Sequence, residues 1–178
     1  VEFLFKTTDA ADAKVFVQGL SVENVMTKST LTVTENTGTD KETKPMTFTW
    51  GERTVKQIFV DDYKPDEAAA IPSDTELLPS NTTLDTDALE LTNQAHNFTT
   101  WLVMPQTIAP ASADAKGLQV KIVYVIGKRQ FESIFPLYTD DLKEWKANQY
   151  VRYTITLAPN LISFKPSVQP WDQYDAVG

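Results

Sequence analysis

The chain has 178 residues, enough for one domain that buries about two-thirds of its unfolded surface. Sixteen Lys and Arg against 24 Asp and Glu give a net charge of −8, which excludes a phosphate-binding surface built on counterion release and so argues for no nucleic-acid partner. With no cysteine and one histidine, disulfide scaffolds, Cys-ligated zinc and thiol nucleophiles are excluded as well.

The pattern along the chain is β throughout. Thr and Val, both β-branched and suited to a pleated surface, recur along it. Period-two alternation predicts strands over 1–7, 14–19, 21–26 and 30–34, the last with Leu31 and Val33 between Thr30, Thr32 and Thr34. Strands are further expected at 46–50, 55–60, 99–104, 118–126, 131–135, 150–157 and 161–165. In 118–126, Val120, Ile122 and Tyr124 share one face, and Val123 and Val125 bury the other. In 150–157, Val151, Tyr153, Ile155 and Leu157 alternate with polar residues. Thr139 as N-cap with Asp140 and Asp141 behind it predicts a helical turn or two over 139–146. Many short strands separated by turn signals mean a β-sandwich of antiparallel sheets in one domain, 1–178. Phe3, Phe5, Val120, Ile122, Tyr153, Ile155, Leu157 and Phe164 are the expected core. Pro166 and Pro170 argue against a regular central strand beyond residue 165.

Charge is concentrated in one place. Residues 61–90 hold nine acids and one base, Lys64, together with Pro65, Pro72 and Pro79, so this stretch carries the whole net charge. Residues 61–98 are therefore expected as a long acidic surface loop. Asp61-Asp62 and Asp85-Thr86-Asp87 could seed a calcium site but lack the spacing of an EF-hand loop, so they read as solvated acids. His96 has no nucleophile signature near it and reads as an exposed or locally hydrogen-bonded histidine. Asn81-Thr82-Thr83 and Asn97-Phe98-Thr99 match the glycosylation pattern, which a Thr-rich chain produces by chance. Trp50, Trp101, Trp145 and Trp171 could form a carbohydrate-stacking platform, but their strand-like neighbours favour packing. No pattern specifies an enzyme, a cofactor or a metal.

Three blocks in fixed order carry more. Leu102–Ile108, with Pro105-Gln106, is followed by Leu118–Tyr124. Then come Phe135-Pro136-Leu137, Trp145, Tyr153–Leu157, Ile162–Phe164, Val168 and Trp171. This order resembles the C-terminal domain of the fimbrillin-like family, the lipoprotein pilins (type V) of Bacteroidales, and more loosely so from Val1 to Trp50. Asn148 stands where the family has a turn glycine, and Val151 replaces one aromatic of its Tyr-x-Tyr.

The resemblance implies a transthyretin-like β-sandwich acting as a subunit of a fimbria on the outer-membrane surface. Its partners would be other pilin subunits, joined by strand exchange, and host or bacterial surface ligands. Membrane attachment would come only through a lipid anchor upstream, on a first domain that this chain lacks. Trp171, Tyr174 and Val177 are then the candidate assembly residues, with Trp171 also able to plug the end of its own sandwich. A surface module that binds glycan or peptide on the same sandwich is the alternative.

Overall fold

The structure, a computed structural model, describes residues 1–8, 13–37, 46–60, 69–79, 87–110, 112 and 116–170. Twelve strands follow in order: β1 (Glu2–Lys6), β2 (Val15–Glu35), β3 (Met46–Val60), β4 (Ala69–Ala70), β5 (Asp87–Glu90) and β6 (His96–Thr100). The second half gives β7 (Gln106–Thr107), β8 (Gln119–Ile126), β9 (Arg129–Pro136), β10 (Glu144–Trp145), β11 (Gln149–Ala158) and β12 (Leu161–Pro170). Among the described residues there is no helix.

The strands make a β-sandwich. One sheet has the order β12-β11-β1-β6, the other β4-β5-β2-β8-β9 with β3 also on β2, and β7 pairs with β10 at one end. Every pairing is antiparallel except that of β1 with β11. Alternation sets what meets between the layers. Phe3, Phe5, Tyr153, Ile155 and Leu157 from the first sheet and Val120 and Ile122 from the second are fully buried in one cluster, while Phe164 is half-buried against it.

The second sheet is covered on its outer face too. Phe16 and Val125 point away from the main core and pack with Ile71 and Ala88. Here the structure departs from the loop expected over 61–98. Ala69–Ala70 pairs with β5, β5 pairs with β2, and β6 joins β1. Residues 71–79 lie along the β8–β9 hairpin, where Glu76 N donates to Lys128 O and Gln130 N to Glu76 O. The fully buried Gln130 accepts from Leu78 N through Oε1 and donates to Gln18 Oε1 through Nε2, at 3.0 and 2.6 Å. Apolar Ala69, Ala70 and Ile71 inside an acidic stretch are what Phe16 and Val125 need as a lid. Residues 61–68 and 80–86, with Asp61-Asp62 and Asp85-Thr86, lie outside the described residues.

Three other expectations change. The five strands expected over 14–34 and 46–60 are two continuous ones, because breaks in alternation are taken up by bulges at Val17/Gly19, Val22/Val25 and Ser29/Leu31. Asn24 supplies the left-handed backbone that the second bulge needs, φ 63°, and its Nδ2 donates to Gly117 O. The helical turn at 139–146 is a β-turn. Thr139 Oγ1 does accept from Leu142 N, but Leu142 N–H also closes onto Thr139 O, and the chain then pairs Glu144–Trp145 with β7. Finally, β12 runs through Pro166, since an edge strand has an open side where proline's missing N–H costs nothing.

Two substitutions test this account. Ile155→Ala should lower the unfolding free energy by about 2–5 kcal/mol in urea titrations, as a large-to-small change at a fully buried site. Gln130→Ala removes the clip on Leu78, so limited proteolysis should cut within 69–79 sooner than in the parent chain.

Candidate interaction site

The site is built where β1 begins. β1 lies between β11 and β6, and its first paired residue, Glu2, faces Arg152 on one side and Thr100 on the other. β11 starts three residues earlier, at Gln149, so Gln149, Tyr150 and Val151 pair with β12 but have no β1 neighbour. On the other flank Val1 and Trp101 exchange backbone bonds of 2.7 and 2.8 Å, after which the chain runs on through Leu102 and Val103 to Pro105. Between these two flanks lies an open slot of about 220 Å³, bounded by Val1, Trp101, Val103, Trp145, Asn148 and Val151.

The walls are fixed by buried polar contacts. Trp145 Nε1 donates to the Tyr153 hydroxyl at 2.8 Å, which holds β10 over the end of the sandwich. Asn148 takes φ 59° and turns the chain from β10 into β11, so it does what glycine does in the family it resembles. The carboxylate of Glu2 is buried at the mouth. It accepts from Asn97 Nδ2 at 2.6 Å and from Arg152 Nε, whose guanidinium lies 5.7 Å from the Tyr150 ring centre. The hydrogen bond that Arg152 donates to Glu2 raises the Arg152 pKa further, and burial, then Glu2, raises that of Tyr150. Arg152 and Tyr150 thus each keep one charge state across the neutral range.

Open sheet edges surround this region. Among the described residues β12 pairs only with β11, and it exposes Leu161, Ile162 and Val168. Such an edge is a template for another strand. The expected assembly residues Trp171, Tyr174 and Val177 lie outside the described residues. The described tryptophans pack as their strand-like neighbours suggest: Trp145 is buried, Trp101 packs edge-on against Phe3, and Trp50, on β3, borders a recess that Trp145 also lines. His96 begins β6 and its Nε2 shares a 2.7 Å hydrogen bond with Thr92 Oγ1. The Asn97 amide is held by Glu2 and Thr100, which leaves it poorly placed as a glycan acceptor. Among the described residues no group of three or more His, Asp or Glu is placed to hold a metal ion.

Sequence reasoning missed Glu2, Gln106 and Gln130, the polar side chains that clip the structure together. Gln106 was marked by its place after Pro105 in the first block, while Glu2 and Gln130 carry no signal in a single sequence.

Neither known family profiles nor curated protein sequences match this chain. In structure it is similar to a fimbrial protein from Bacteroides vulgatus ATCC 8482. The two chains share 12% identity at a TM-score of 0.47, with 96% of this chain covered. The chain spans about half the length of that protein, 53%.

Removing Arg152 should expose the cost of burying Glu2. Arg152→Ala is expected to lose about 1–3 kcal/mol, at the low end for a broken ion pair because the arginine is a third exposed. The neutral pair Glu2→Gln/Arg152→Leu should lose less in the same urea titration. Equal losses would show that the carboxylate is hydrated rather than buried.

Proposed function

We propose that this chain is a structural subunit of a cell-surface fimbria of the fimbrillin-like kind, with no catalytic role. The observation that carries the reading is the edge of β12, which among the described residues pairs only with β11 and exposes Leu161, Ile162 and Val168. An extended segment of another subunit lying along that edge would add backbone hydrogen bonds to β12 and place side chains beside these three. The block order from Leu102 to Trp171 supports the same reading, because it resembles the C-terminal domain of those pilins. On this reading the protein is exported to the outer-membrane surface, anchored through an upstream lipidated domain, and joined to its neighbours by strand exchange.

The test is made in the full-length protein on its own cells. Leu161 and Val168 are exposed on β12, so changing them should leave the fold intact. Leu161→Asp and Val168→Asp should each reduce the fibres seen by electron microscopy at least several-fold, with surface export and melting temperature unchanged. Normal fibres from the double variant would remove the β12 edge from assembly. Saturable binding to a glycan array with no fibres formed by the parent protein would favour the glycan-binding module instead.

A further inference from the structure

Beyond residue 25, β2 leaves the sandwich. From Met26 to Glu35 it pairs, among the described residues, with β3 alone, as a two-stranded arm whose register sets Leu31 opposite Trp50, Val33 opposite Phe48 and Glu35 opposite Met46. Those residues share one face. The other face carries Thr32, Thr34, Thr47 and Thr49. Among the described residues no second layer covers the apolar face: Phe48 is 61% exposed, Met46 53% and Val33 50%, with Leu31 and Trp50 exposed beside them. Together these five side chains expose on the order of 500 Å², near the top of what a monomer leaves in one patch.

The base of the arm is fixed. The buried side chain of Gln106 accepts from Met26 N at 2.9 Å and donates to Met104 O at 3.1 Å, which ties β2 to the β7–β10 ribbon. At this base a shallow recess of about 260 Å³ opens between Trp50 and Pro105, Thr107, Glu144 and Lys146. Charge is distributed unequally along the face. Glu35 lies toward the far end, and Lys146 lies on the wall of the recess with Glu144 at 3.0 Å.

We propose that the arm is a dimerisation element, and that its apolar face is covered by the arm of a second copy of this chain lying antiparallel to it. A two-fold axis near Val33 and Phe48 sets the far end of each arm over the base of the other. Met46 of each copy then fills the recess beside Trp50 of its neighbour, and Glu35 of each meets Lys146. Such an interface is self-complementary, as a two-fold contact must be. Mutual covering of the two faces removes about 1,000 Å², the lower bound for a specific interface, so the dimer is a weak one. The interface stands whether or not the protein forms a pilus.

Sedimentation equilibrium of this chain over roughly 5–500 µM tests it. The expected result is a monomer–dimer equilibrium that Phe48→Ser weakens at least about tenfold, whereas Thr32→Lys on the opposite face leaves it unchanged. Lys146→Glu should weaken the dimer, and adding Glu35→Lys to that variant should restore it, a rescue that no general loss of folding reproduces. A monomer throughout the range, or a dimer indifferent to Phe48→Ser, overturns the proposal. Binding of the monomer to phosphatidylcholine vesicles through the same face, lost in Phe48→Ser, would overturn it in favour of a lipid surface.

Discussion

The hydroxyl of Tyr153 joins the two layers of the sandwich. Its ring belongs to β11 and is stacked between Phe3 of β1 and Phe164 of β12, with centres 5.3 and 5.1 Å away. Its oxygen reaches past the core to accept from Trp145 Nε1 and to donate to Leu137 O at 3.4 Å, at the end of the opposite sheet. Burial pushes the tyrosine pKa far above its usual value, so the proton needed for the bond to Leu137 is always present. In a dry interior these bonds are worth more than in water, and leaving either partner unmet is costly. The position of β10 over the end of the sandwich depends on this one residue.

Among the described residues, unpaired backbone lies along β12 and along the arm. β12 ends the first sheet and pairs only with β11. β2 is long and outlasts β8 and β5, so among the described residues its far half pairs with β3 alone. A strand edge is the least specific interaction surface a protein can present, because any extended backbone satisfies it. Specificity must then come from side chains beside the edge. On β12 these are Leu161, Ile162 and Val168, and on the arm the row from Leu31 to Trp50.

The acidic stretch shows how composition can mislead. Nine acids in 61–90 mark solvent exposure, and the exposed Asp74 paired with Lys128 fits that. The hydrogen bond from Lys128 holds the Asp74 carboxyl below its ordinary pKa. Three apolar residues, Ala69-Ala70-Ile71, decide the path of the segment, because Phe16 and Val125 would otherwise lie bare on the outer face. A hydrophobic demand on a neighbouring sheet overrode the polar bias of the local sequence.

Alternation alone determined that this chain is all-β, and which faces of β8 and β11 turn inward, because a period of two is written into the side chains themselves. The polar side chain of Thr139 was legible as an acceptor for the backbone three positions on, but the helical turn expected to follow it is a β-turn. Other features were beyond reach. Whether a break in alternation is a bulge or a turn depends on the strand alongside, so the short strands expected over 14–34 and 46–60 became the long β2 and β3. Exposure was equally hidden, since Leu31, Val33 and Phe48 read like the core residues of any strand. Only the tertiary structure decides that β8 ends its pairing at Glu23 and leaves them without a second layer. Glu2 and Gln130 are invisible for the same reason: a buried polar side chain is defined by partners 52 to 150 positions away along the chain.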